Sequence, residues 1–227
     1  MFKTLFGNLK SRVRKADPVD PAAFGDPVAL ETDWVPLVGG GANFQTHRLV
    51  KTQPNELRMK PTIGTFLFGG LFVLLGVGLS IAFTIGFYNE SDPSKRYGLL
   101  IPVAVGLLFA GIGGYLLKTM GSGMIFDKTR GTLMKGGKPV CIESGEGVRE
   151  KEVQLSSVHA LQILKELCSG DKSTYWSYEL NLVFHDGERV NVMDHGSYPK
   201  VKEDSELLGR FLGVPVWDGV KQQQEQG

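Results

Sequence analysis

The chain has 227 residues, 42% of them hydrophobic and 22% charged, with a formal net charge of +1. A charge so close to zero excludes the basic surface of a general nucleic-acid binder, and two cysteines exclude a disulfide-built scaffold. The averages would suit a soluble protein of one or two domains, but they conceal how unevenly the apolar residues are distributed.

Residues 1–15 place Phe2, Leu5, Phe6, Leu9 and Val13 at helical spacing among Lys3, Lys10, Arg12, Arg14 and Lys15. This basic amphipathic segment predicts a helix lying on an anionic membrane surface, although a frayed terminus or a helix docked on a protein would carry the same residues. Residues 16–60 read as a linker and pre-membrane segment, because Asp17-Pro18, Asp20-Pro21 and Asp26-Pro27 favour extended or turn backbone. Gly39-Gly40-Gly41 lacks the Gly-Lys-Ser/Thr ending of a phosphate loop and reads as a flexible turn into a strand over Gln45 to Lys51.

Residues 61–118 form a predicted transmembrane hairpin, with helices at Thr62 to Tyr88 and Tyr97 to Leu117. No charged residue falls between Lys60 and Glu90 or between Arg96 and Lys118, and roughly 20 apolar residues suffice to cross a hydrocarbon core of about 30 Å. Arg48, Lys51, Arg58 and Lys60 precede the first span and Lys118, Lys128 and Arg130 follow the second, whereas only Lys95 and Arg96 lie between. Because Lys and Arg resist translocation, both termini are expected in the cytoplasm. Gly76 and Ser80, Gly78 and Ala82, and Gly106, Ala110 and Gly114 recur four apart, a spacing that lets helix backbones approach within the hairpin or along a dimer seam. With no Asp, Glu, Lys, Arg or His in either span, a transporter or channel is disfavoured.

Residues 119–218 change to strand and turn patterning, followed by a polar tail at 219–227. Met124 to Asp127 and Thr132 to Lys135 flank a turn; Val153 to Leu167 reads as a strand, though part of it would also line a helix; Glu203 to Leu212 reads as a helix stopped by Gly213. Around His185-Asp186-Gly187, a three-residue bulged loop sets Leu182 opposite Val190 and Leu180 opposite Val192, so that the apolar side chains of both strands share one face. The expected domain is an antiparallel sheet or partial barrel closed by a C-terminal helix.

Ile125-Phe126-Asp127-Lys128-Thr129-Arg130-Gly131-Thr132-Leu133, Val153 to Gln162 and Tyr178 to Phe184, in this order behind two membrane helices, resemble the bacterial inner-membrane proteins with a pleckstrin-homology-like cytoplasmic domain. The resemblance implies a PH-like fold and a bacterial inner-membrane location. It implies no activity, because its motifs are packing signatures.

Chemistry is sparse. Cys141 and Cys168 have no metal-binding spacing and read as reduced structural thiols. Asp194-His195 and His185-Asp186 are adjacent pairs, and neighbours on a strand point to opposite faces. No catalytic residue, metal, cofactor, nucleic acid or small-molecule substrate is therefore expected. The expected function is a membrane-anchored, non-catalytic interaction or scaffolding module whose partners are membrane lipids and a protein or a second copy of itself. Two alternatives stand beside it: anionic head-group sensing through Lys118, Lys128 and Arg130, and a membrane-bound enzyme using Asp194 and His195.

Overall fold

A computed structural model describes residues 18–41, 43–121, 123–143, 150–169 and 174–225. The expected surface helix with Phe2, Leu5, Phe6 and Leu9 lies outside the described residues. The chain divides into two compact units, Lys60–Gly123 and the remainder on either side of it.

In the remainder, a short helix α1 (Pro27–Glu31) precedes the strands β1 (His47–Gln53) and β2 (Glu56–Pro61). The other unit then begins with α2 (Ile63–Asn89), turns through the short helix α3 (Pro93–Gly98), capped by the Asp92 side chain, and returns as α4 (Leu100–Gly121). Both long helices are long and apolar enough to cross a membrane; at 1.5 Å per residue, α2 extends about 40 Å. Their outward residues are apolar, Leu67, Leu74 and Ile101 each being about 70% exposed.

The two helices meet through glycine. A side chain at Gly76 would strike the backbone of Gly106 and Ala110, and one at Gly106 would strike Ser80 and the Gly76 carbonyl. Two turns on, Gly69 and Gly113 approach Leu117 and Val73 in the same way. Ser80 Oγ lies 2.9 Å from the Gly76 carbonyl and 3.2 Å from that of Val103, adding a polar contact across the helices. Gly78 and Gly114, in contrast, face open space, and Gly113 occupies the place in the contact that the four-residue spacing assigns to Gly114.

The chain resumes as β3 (Met124–Asp127), which pairs with β2, Leu57 facing Phe126. Backbone hydrogen bonds thus join the segments before and after the apolar hairpin into one antiparallel sheet, completed by β4 (Thr132–Lys135) and β5 (Lys138–Pro139). A small ladder of β6 (Cys141–Glu143) and β7 (Glu150–Glu152) follows. The second sheet contains β8 (Val158–Ser169), β9 (Thr174–Phe184) and β10 (Arg189–His195). After α5 (Tyr198–Leu212), stopped at Gly213 with φ +82°, β11 (Val216–Asp218) adds to this sheet parallel to β8, and α6 (Gly219–Glu225) ends the described chain. The order is β10-β9-β8-β11. The expected sheet and C-terminal helix are present, but the described strands form two main open sheets rather than one antiparallel sheet, and one of them is mixed, because β11 returns beside β8 after α5.

One hydrophobic core joins these sheets. Leu57, Phe126 and Leu133 come from the first, Leu161, Ile163, Leu180 and Leu182 from the second, and Val201 and Leu208 from α5. The β9–β10 hairpin pairs Leu182 with Val190, and Phe184 N–H donates to the Glu188 carbonyl across a loop in which Gly187 has φ +79°. Glycine adopts this conformation without steric cost, which permits the bulged three-residue turn. Farther out the register differs from the sequence expectation: a bulge after Asn191 places Met193, not Val192, opposite Leu180. The bulge lets consecutive residues Val192 and Met193 both enter the core.

Candidate functional site

Strand alternation turns Leu161, Ile163, Leu180 and Leu182 toward the core and their neighbours outward. The outward row is polar: Gln162 lies beside Asn181, and Asn181 beside Asn191, across three strands, with Glu179 and Arg189 in the adjoining positions. Such a row ordinarily faces water. Here Gln162 and Asn181 are fully buried and Glu179 is 2% exposed, because residues 20–41 run across this face.

The covering segment is shaped by its own caps. Asp20 caps a 3-10 turn at Pro21–Phe24, and Asp26 caps α1 with Pro27 in the first helical position, where its missing N–H costs nothing. Gln222 clamps the Asp20 main chain, accepting from its N–H at 3.0 Å and donating to its carbonyl at 2.7 Å. Trp34 stacks on Phe24 with centroids 4.8 Å apart, lies 6.0 Å from Trp217 and donates its indole N–H to the Ala29 carbonyl at 2.8 Å. Thr32 Oγ1 donates to the Gly187 carbonyl at 2.8 Å, fastening the segment to the β9–β10 turn.

Beyond Thr32 the chain has no regular secondary structure and bends at Val35 and from Leu37 to Gly40, and its main chain is read by side chains of the sheet. Gln162 Nε2 donates to the Asp33 carbonyl at 2.9 Å, and Arg189 donates to the Val35 carbonyl at 2.8 Å and to Gln162 Oε1 at 3.1 Å. The Glu179 carboxylate accepts from the consecutive N–H groups of Leu37 at 2.8 Å and Val38 at 2.9 Å and also from Asn181. Glu166 accepts from Gly40 N–H at 3.0 Å, and Tyr175 O–H donates to the Gly41 carbonyl at 2.9 Å. Buried charge persists where hydrogen bonds replace water, and these charge-assisted bonds are the stronger kind. Burial pulls the Arg189 guanidinium below its usual range, while Glu179 and Asp33 oppose that shift.

At the glycine end, burial and the neighbouring Glu179 and Glu166 raise Asp194 to about 7, against a hydrogen bond from Asn191. Gly41 passes so close to Ser177 and Asp194 that no side chain fits there. At the opposite end, Asp26 Oδ2 lies 2.8 Å from His159 Nε2, and the Nδ1 atoms of His159 and His185 are 3.1 Å apart. A pocket of about 180 Å³ opens beside them, walled by Gln154, Ser157, His185 and Asp186. Among the described residues no group of three His, Cys, Asp or Glu side chains is placed to hold a metal.

The residues singled out from sequence lie elsewhere. Lys118 belongs to the last turn of α4; Lys128 Nζ sits 4.8 Å from the centre of the Phe211 ring; Arg130 is 3.6 Å from Asp127 and touches Met134 Sδ. Asp194 faces Glu179 and Glu166, whereas His195 is fully buried on the other side, Nδ1 accepting from Ser197 N–H at 3.3 Å; burial lowers its pKa to about 4. Cys168 is a buried free thiol, raised by burial. Sequence reasoning missed Gln162, Glu179, Asn181 and Arg189. The available signal was a run of amide and charged side chains alternating with the apolar residues Leu161, Ile163, Leu180, Leu182 and Val190 on three strands.

No family model matches the chain, and no curated protein and no solved structure matches it.

Proposed function

We propose that this protein is a membrane-anchored interaction module, with a two-helix anchor and a cytoplasmic sheet domain that binds protein. The observation that carries this reading is the sheet face that reads the main chain of an irregular segment through Gln162, Glu179 and Arg189. Side chains that satisfy the backbone groups of a covering segment perform the task of a peptide-recognition surface, with main-chain bonds for affinity and one anchored side chain for specificity. The anchor is supported by two apolar helices and by Tyr88 and Tyr97 at the turn between them, 74% and 66% exposed, where amphipathic rings suit a membrane–water boundary. The bias of Lys and Arg away from that turn supports cytoplasmic termini. The layout of two helices and a sheet domain closed by a helix is consistent with the PH-like bacterial inner-membrane proteins that the sequence resembles.

Site-specific photo-crosslinking in native membranes tests the reading. With a crosslinker at Leu37, Trp176 or Glu188, all exposed, a discrete adduct containing this chain is expected from at least one site. Absence of a discrete adduct from all three contradicts it.

A further inference from the structure

Residues 33–41 occupy the polar face as a bound peptide would. Six main-chain groups, the carbonyls of Asp33, Val35 and Gly41 and the N–H groups of Leu37, Val38 and Gly40, are each taken by a side chain of the sheet. The segment's own aliphatic side chains contribute little, since Val35, Leu37 and Val38 remain 58%, 45% and 46% exposed. Its one seated side chain is Trp34, held between Phe24 and Trp217. Pro36 falls between the carbonyl taken by Arg189 and the N–H groups taken by Glu179, where no acceptor of the sheet is left without its donor.

We propose that residues 33–41 are an internal stand-in for a partner protein's segment, and that the Gln162–Glu179–Arg189 face takes a segment in trans carrying a large aromatic residue two positions before a proline. The proposal rests on the interaction-module reading and names its partner class. Two features make the exchange local. Residues 20–32 are fastened independently, by Gln222 at Asp20, by His159 at Asp26 and by Gly187 at Thr32, so Phe24 and Trp217 remain as the seat for an incoming ring. At the other end, Gly39, Gly40 and Gly41 form the exit, with Gly40 at φ +84°, a conformation that costs glycine nothing to enter or leave. Binding that reads main chain tolerates many sequences, so the aromatic anchor and the proline define the class. Because the internal segment is tethered, it competes at high effective concentration, and the face opens only to a partner that is itself concentrated at the membrane or binds elsewhere as well.

The test uses the full chain in detergent and a fluorescent peptide of residues 32–41. Trp34→Ala weakens the internal segment while leaving the reading face intact. The peptide is expected to bind this variant at least tenfold more tightly than wild type, and to lose that affinity when Arg189→Ala is added or when the peptide's own tryptophan is replaced by alanine. Equal binding to all variants, or binding indifferent to Arg189, overturns the proposal. Should Trp34→Ala fail to fold, the wild-type chain gives the answer by hydrogen exchange: saturating peptide must speed exchange of the Leu37, Val38 and Gly40 amides, and unchanged exchange overturns it. A wild-type dimer that dissociates on adding the peptide would assign the face to a second copy of this chain and so also overturns the foreign segment. If the peptide fails while the photo-adduct still forms, only the partner class falls; loss of both removes the interaction reading itself.

Discussion

Arg189 and Asp194 show at single residues what the buried polar face costs and what holds it. Arg189 connects the Val35 carbonyl with Gln162, and its side chain is 6% exposed. Arg189→Ala leaves the Val35 carbonyl without its donor and Gln162 Oε1 with Asn181 alone, and removes a cation that attracts Glu179, so thermal or denaturant unfolding should show a loss of about 3 kcal/mol. Arg189→Lys should recover only part of it, because one ammonium cannot reproduce a planar fork. A loss within error of zero would mean that the segment is not held through this side chain. Asp194 sets a pH dependence. Its folded pKa is raised from 3.8 to about 7, by burial first and then by Glu179 and Glu166, so the folded chain retains a proton that the unfolded chain has released. Stability therefore declines as pH rises from about 4 to about 7 and then levels, on the scale of a few kcal/mol. Asp204, raised by burial to about 6, acts in the same direction; His195, lowered to about 4, acts oppositely, costing stability as pH falls below about 6.5. Asp194→Asn removes one contribution alone: its stability relative to wild type, measured by denaturant unfolding, should increase from pH 5 to pH 8. A constant difference would contradict the assignment.

At the scale of elements, legibility followed local chemistry. The β9–β10 turn was readable because Gly187 fits the left-handed position and the apolar rows match in only one register, yet the bulge after Asn191 was not, since it answers to a core that admits Val192 and Met193 together. The outward row Gln162, Asn181 and Asn191 alternates as a solvent face does, and the Asp-Pro pairs that cover it read as linker. That Asp26 caps α1 and pairs with His159, distant by over a hundred residues, is tertiary information that no local pattern holds. Small-residue spacing identified Gly76, Ser80, Gly106 and Ala110, but a period of four drifts around a helix of 3.6 residues per turn, and by the next turn Gly113 has replaced Gly114 at the contact. Gly113→Leu should accordingly weaken the hairpin and Gly114→Leu should not. Melting in detergent checks this: a fall for Gly113→Leu of several degrees, with Gly114→Leu near wild type, is expected, and equal effects would contradict the contact.

Taken as a whole, the molecule is a sheet domain interrupted in sequence by an apolar helical hairpin. β2 leads into the apolar hairpin and β3 leaves it, and the two strands pair. Under the proposed function, the hairpin fixes the domain to one side of a bilayer and the segment of residues 33–41 keeps its reading face closed until a partner arrives. On the same proposal, the turn between α2 and α4 faces outward while both flanks of the chain, and the sheet domain they build, stay in the cytoplasm. This orientation is tested by a membrane-impermeant thiol reagent applied to intact cells, with Cys141 and Cys168 replaced by alanine and a single cysteine placed at Ser91 or at Glu188. The account predicts labelling at Ser91 in intact cells and at Glu188 only after the membrane is opened; labelling of Glu188 in intact cells would contradict it.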